Sequence, residues 1–191
     1  MKPFRLLPLL LALVFLFGLA ACSKEPVEHE GYLLAENTGG DFDFYYPDTW
    51  QVERADAGFV QVHVSDTDFS NISVSALHFA GRFNDLKTYV NEYYLKEIKE
   101  NLNDVKTADN EDGSLRLTPL TVDGCDAVSF DYSASFYTVD SGKETYSFRT
   151  WLISNGGTVY NVTFTANTTE KDLFSEHVQE AAKTVEYFRF R

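Results

Sequence analysis

The chain has 191 residues, with 16 basic against 29 acidic and a formal net charge of −13. That acid excess argues against a nucleic-acid partner, because phosphates demand a basic footprint, and against lying flat on an anionic bilayer, which would repel it. With 44% hydrophobic and 15% aromatic residues, the chain can bury a core, and its length suits one domain of about 150 residues.

The N-terminus has the three parts of a secretory signal. Lys2 and Arg5 precede an apolar run from Leu6 to Phe17, and Leu19-Ala20-Ala21-Cys22 follows. The run is too short for a transmembrane helix, which needs roughly 20 apolar residues, and Pro8 and Gly18 interrupt it. Leu19 to Cys22 resembles the lipobox of bacterial lipoproteins. The resemblance implies cleavage between Ala21 and Cys22, lipidation of the Cys22 sulfur and a bacterial source. One acyl chain anchors only reversibly, and a diacylglyceryl group, with chains such as palmitate, supplies two. The mature chain would carry 14 basic and 29 acidic residues, or −15 over 170 residues. It would be anchored in the cell membrane through its lipid and face outside the cytoplasm. Ser23 is not the Asp retention signal, so an outer membrane is allowed where the source has one.

Ser23 to Gly40 is polar and acidic and reads as a tether, with Tyr32-Leu33-Leu34 able to dock as a first strand or turn. Fully stretched, these 18 residues reach roughly 60 Å. The domain organisation is thus a signal peptide over 1–21, a lipidated tether over 22–40 and one folded domain over 41–191. Phe42, Phe44 and Tyr46 alternate with Asp41, Asp43 and Tyr45, the period of a half-buried strand. After a Pro47-Asp48-Thr49 turn and Trp50 comes an apolar alternation of Val60, Val62 and Val64. Beyond a polar loop, Ile72, Val74 and Ala76 alternate with serines, completing an antiparallel hairpin. A turn at Asp68 would set His63 opposite Ser73, about five residues from His78.

Asn84 is the predicted cap of a helix whose stripe is Phe83, Leu86, Val90, Tyr94 and Ile98. Leu95 falls off that stripe, and the helix should end near Asn103. Leu115 to Val122, around Pro119, suits an edge strand. Val128 to Phe136 alternates along one long strand, and Asp140-Ser141-Gly142 turns the chain. Tyr146 to Ile153 and Thr158 to Ala166 flank Asn155-Gly156, the strongest short hairpin signal. A two-residue turn there would set Trp151 opposite Tyr160, Arg149 opposite Val162 and Ser147 opposite Phe164. Thr169 and Asp172 read as a capping box for a last helix striped by Leu173, Phe174, Val178, Ala181 and Val185.

Helices on an antiparallel sheet give an α+β sandwich. The turn Tyr46-Pro47-Asp48-Thr49-Trp50 resembles the YP-x-GW opening of PsbP-like domains, although Thr49 stands where that family usually has Gly. The order of elements from Asp41 to about Phe188 is also similar. The resemblance implies the fold shared by the photosystem II extrinsic protein, a Ran-binding nuclear-import factor and many bacterial lipoproteins. It also implies a binding or assembly role.

No catalytic constellation stands out. There is no Gly-x-Ser-x-Gly elbow, and Cys125 has no His nearby in sequence. With Cys22 lipidated, Cys125 also has no disulfide partner and reads as a small buried or edge-strand side chain. Asp140-Ser141-Gly142-Lys143 lacks the upstream Gly and the Ser/Thr of a phosphate loop. Asp109-Asn110-Glu111-Asp112-Gly113 fails the EF-hand pattern, and Asp66, Asp68 and Asn71 are too few oxygens for calcium alone. His29, His63, His78 and His177 show no zinc spacing, and His177 reads as a hydrogen-bonded core histidine. Tyr132, Tyr137, Tyr146, Trp151 and Tyr160 read as core packing under the helices, with a partner-gripping aromatic row as the alternative. The expectation is a non-catalytic envelope binding or assembly module, with no catalytic residue, cofactor or metal. Its partners are the membrane, through the anchor, and an unidentified envelope protein or ligand. The alternatives are a small-molecule or lipid carrier with a cavity between helix and sheet, and a polymer hydrolase using Asp131 and Glu144 as acid and base. The second requires carboxyls about 5 to 10 Å apart.

Overall fold

The computed structural model describes residues 26–36, 38–39, 41–78, 85–111, 114–139 and 142–191. Leu19 to Cys22, Phe83 and Asn84 lie outside them. Twelve strands occur among the described residues: β1 (Tyr32–Leu34), β2 (Phe42–Asp43), β3 (Tyr45–Pro47), β4 (Gln51–Asp56), β5 (Phe59–His63), β6 (Asn71–His78), β7 (Asn103–Thr107), β8 (Thr118–Val122), β9 (Cys125–Thr138), β10 (Gly142–Asn155), β11 (Thr158–Asn167) and β12 (Arg189–Phe190). The helices are α1 (Leu86–Tyr89), a π-helical turn (Val90–Tyr94), α2 (Leu95–Asn101) and α3 (Leu173–Tyr187). The main sheet is antiparallel in the order β4-β5-β6-β11-β10-β9-β7, and β8 also pairs with β9. Among the described residues no helix is long and apolar enough to cross a membrane.

The sheet has a core on each face. On one side α3 lays Val178, Ala181 and Val185 over Val60, Val62, Ile72, Val74, Trp151 and Phe164. Trp50, from the expected turn motif, packs beside Phe164. On the other side the α1–α2 stretch lays Leu86, Tyr89, Val90, Tyr94, Leu95 and Ile98 over Phe130, Tyr132, Phe148 and Leu152. This is the α+β sandwich expected from the pattern. Tyr132, Trp151 and Tyr160 are core, Tyr146 is half-buried, and Tyr137 is exposed.

The π-helical turn explains the imperfect stripe. The Leu95 amide donates to the Val90 carbonyl, five residues back. The extra residue in that turn resets the phase. Leu95 then joins Ile98 in the core although it is off the 3.6-residue stripe. The helix cap is Asp85, one residue beyond the predicted Asn84, and its carboxylate accepts from the Thr88 amide at 2.7 Å. The helix ends at Asn101, short of Asn103, because the chain leaves it directly into β7.

Several registers differ from the sequence reading. The β10–β11 hairpin turns at Gly156-Gly157, with Asn155 paired to Thr158, so Trp151 faces Val162 and Arg149 faces Phe164. Both turn glycines have positive φ, +58° and +86°, as a type I′ turn requires. Gly-Gly meets that demand at both positions and displaces Asn155-Gly156. The slip is two residues, so every side chain keeps its predicted face. His63 pairs with Asn71 rather than Ser73, because the polar loop is symmetric about Thr67. The expected strand over Asp41 to Tyr46 is two strands: β2 pairs β12 and β3 pairs β1. Phe42, Asp43, Phe44 and Tyr45 are all buried, so the alternation there is not that of a half-exposed strand. At α3 the capping box is absent. Asp172 is the cap, accepting from the Ser175 amide at 3.1 Å, while the Thr169 hydroxyl accepts from the Thr145 amide at 2.8 Å.

The segment read as a tether is docked over its described part. β1 pairs with β3, the Ala35 amide donates to Phe44, and the Gly58 amide donates to the Thr38 carbonyl at 3.1 Å.

A polar half-sheet and its cleft as the candidate functional site

Cross-strand register divides the α1–α2 side of the sheet into two halves. One row runs Gln51, His63, Asn71, Thr165, then Phe148 and Tyr132. The next runs Arg54, Gln61, Ser73, Thr163, Thr150, then Phe130, and a third runs Asp56, Phe59, Ser75, Asn161, then Leu152. Residues of one row share a face. Over these three rows the β9–β10 half is apolar and lies under the helices, whereas the β4-β5-β6-β11 half carries hydroxyls, amides and charges, with Phe59 as its one large apolar ring; the next row, Leu77 and Val159, is apolar again, and Val159 joins the core under the helices. The Arg54 guanidinium lies 5.2 Å from the centre of that ring. At the border the Thr150 and Thr163 hydroxyls are 3.0 Å apart, Thr163 donates to Asn161 at 3.0 Å, and Asn161 donates to the Tyr94 hydroxyl at 3.3 Å. This relay fixes where helix cover stops.

One register step beyond Thr165 and Phe148, the pair Asn167 and Tyr146 carries the same face into a cleft of about 630 Å³. The β5–β6 loop, the start of β10 and the approach to α3 form its walls, through Thr67 to Ser70, Glu144, Tyr146, Asn167 and Thr169 to Lys171. Glu144 Oε2 accepts from the Tyr146 hydroxyl at 2.6 Å and from the Asn167 amide at 3.2 Å. Burial, and then the Glu144 carboxylate, push the Tyr146 hydroxyl above its ordinary pKa. Phe69 stands at the rim with 74% of its surface exposed. The arrangement can hydrogen-bond a polar ligand and stack a ring or apolar group on Phe69.

The hydrolase pair is not brought together. Asp131 faces Arg149 on the α3 side, in a two-pronged ion pair at 2.7 and 2.6 Å. Glu144 lies five residues from Arg149 along β10, which puts it on the opposite face. Cys125 begins β9 opposite Val122, half-buried, and burial pushes its thiol pKa up. His63 and His78 are separated by the seven residues from Asn71 to His78 along β6, roughly 23 Å. His177 is hydrogen-bonded as expected, to Asp68, and that bond uses one oxygen of the acidic loop. Asn161 and Asn167, in two of the chain's Asn-x-Thr triplets, serve as hydrogen-bond donors. The space between α3 and the sheet is filled by side chains, and a surface cleft beside Val122, Trp151 and Ala182 measures about 170 Å³.

The sequence analysis named Tyr146 and Glu144 separately, as an aromatic-row residue and a hydrolase carboxylate, and missed their grouping with Asn167 and Phe69 beside the polar rows. Part of their signal was present as polar residues alternating with apolar ones, Asn71, Ser73 and Ser75 in β6 and Asn161, Thr163, Thr165 and Asn167 in β11.

No protein-family model and no curated protein matches this sequence. Solved structures do. Mog1 is similar over 83% of this chain and 95% of its own, at 13% identity and a TM-score of 0.55. Cyanobacterial PsbP (CyanoP) from Synechocystis is similar over 91% of this chain and 99% of its own, at 16% identity and a TM-score of 0.50. The fold is PsbP- and Mog1-like. A Bacteroides thetaiotaomicron protein matches at 18% identity and a TM-score of 0.46, over 80% of this chain, which spans only 46% of that protein's length. At these identities the likeness shows the fold alone.

Proposed function

We propose that the chain is a lipid-anchored module of the bacterial cell envelope that binds a protein or ligand without catalysing a reaction on it. The observation that carries this reading is the polar half-sheet ending in the Phe69 cleft. Across its Gln61, Ser73, Thr163 and Asn71, Thr165 rows this face is polar and adds little to the hydrophobic core, so its order is available for recognition. The lipobox-like Leu19 to Cys22 supplies the anchor, and the acidic surface supports a role away from nucleic acid.

The test is the variant Ser73→Arg, which places a long cation on the polar half between Gln61 and Thr163. It should fold, since the altered atoms lie on the face away from the Ile72 and Val74 core, and it should lose a partner that wild-type protein captures from its native envelope. An unchanged set of captured molecules would remove this face from the function. Cys22→Ala should leave the precursor unprocessed and unlabelled by radioactive palmitate, and normal anchoring of that variant would remove the lipoprotein part.

A further inference from the structure

We propose that the docked N-terminal segment acts as a short leash that holds one end of the sandwich against the bilayer and turns the Phe69 cleft away from it. This inference rests on the lipid anchor proposed for Cys22.

The segment is stitched to the body from Val27 onward. The Val27 amide donates to the Tyr45 hydroxyl at 3.1 Å. His29 stacks flat on Tyr187 at 3.8 Å, with Tyr45 edge-on at 4.7 Å. Gly39 closes the stretch against Ala57, where an added Cβ would sit 2.9 Å from the Ala57 Cα. Four residue steps separate Cys22 from Pro26, and a chain of that length spans at most about 14 Å. The lipid-bearing residue is therefore confined near the His29–Tyr187 contact, where a free tether would reach roughly 60 Å.

That contact marks one end of the molecule. Tyr187 is the last residue of α3, and the next residue, Phe188, packs 6.1 Å from Tyr160, which pairs with Ile153. Gly142, where the β9–β10 hairpin closes, is eleven residues away from Ile153 along β10, roughly 36 Å. Glu144 and its cleft belong to that distant end. Val27 and Leu33, 57% and 48% exposed, place apolar surface beside the anchor. The charges at this end are mixed, Glu28 and Glu30 on the segment against Arg189 and Arg191 near Tyr45, so tether length and not charge sets the orientation.

The experiment uses mature, lipidated protein in phosphatidylcholine vesicles, with Cys125→Ser to remove the other thiol. A donor dye is placed at Leu33→Cys or at Val139→Cys, and energy transfer to acceptor-labelled lipid is read. Transfer from position 33 should exceed transfer from 139 several-fold. Inserting a Gly-Ser spacer of about twelve residues after Glu25 should erase the difference, since such a linker adds roughly 19 Å of root-mean-square reach and leaves the folded body untouched. Equal transfer from the two positions on vesicle-bound protein overturns the leash and leaves the anchor standing. An unmodified Cys22 by mass spectrometry, with no vesicle binding, overturns both.

Discussion

His177 Nε2 lies 3.0 Å from Asp68 Oδ2, tying α3 to the β5–β6 loop across 109 residues of sequence. The loop is the wall that carries Phe69, so this contact ties that wall of the cleft to α3. Asp68 Oδ1 also accepts from the Ser70 amide at 2.9 Å. Burial disfavours its charge, but the Ser70 hydrogen bonds and then His177 outweigh burial and hold the carboxyl below its ordinary value of 3.8. A depressed carboxyl pKa contributes stability above the unfolded value and loses it as pH falls through the folded one. Asp68→Asn should therefore destabilise at pH 7 by about 1–3 kcal/mol. The gap to wild type should narrow as pH drops below 3.8, the unfolded value. Urea unfolding between neutral pH and pH 3 measures both effects.

Gly157 has φ +86° in the β10–β11 turn, whereas Asn155 is a paired strand residue. Gly157→Ala should cost about 1–2 kcal/mol, the penalty of forcing a Cβ into the left-handed region. Asn155→Ala should stay within about 0.5 kcal/mol. Thermal melts of the two variants distinguish the Gly156-Gly157 turn from one at Asn155-Gly156, because the second would reverse the order of the penalties.

Gly39 has φ +84°, and a Cβ there would sit 2.8 Å from Ala57 Cβ and 2.9 Å from its Cα. Backbone on one side and strain on the other leave no room to relax. Gly39→Ala should detach the segment before it, seen as faster hydrogen exchange at the Tyr32 to Leu34 amides, with β9–β11 protection retained. Unchanged exchange over β1 would mean that the segment does not depend on this approach.

Phe69 makes a different kind of prediction. Its ring is largely outside the core, so Phe69→Ser should shift stability by no more than about 0.5 kcal/mol. If the cleft is the recognition site, the same change should weaken partner capture at least tenfold. A fall in stability with capture intact would make Phe69 a packing residue.

The main strands and both helical regions were legible because their apolar periods match their geometry. Val60, Val62, Ile72 and Val74 alternate, and Val178, Ala181 and Val185 recur at helical spacing. Three kinds of feature were hidden for physical reasons. β4 and β7 expose most of their residues, so they show no apolar alternation and are strands only because they hydrogen-bond to β5 and β9. The π-helical turn breaks the 3.6-residue period in a way a stripe cannot register. The β2 and β3 segments are buried on both sides by chain far away in sequence, notably Arg191, whose guanidinium pairs with Asp43. The candidate site was half-legible. The polar alternation of its floor in β6 and β11 lay in plain view, but its cleft joins residues 67 to 171 through register and loop closure, which no local pattern encodes.

β4 has a wider consequence. It is one edge of the main sheet, interrupted by a bulge between Val52 and Arg54, and it presents Glu53, Arg54 and Asp56 to solvent. A protein confined to a plane meets its own copies far more often than one free in three dimensions. An unbroken, apolar edge would then zip copy to copy into a continuous ribbon. The bulge and the alternating charges deny that pairing along β4.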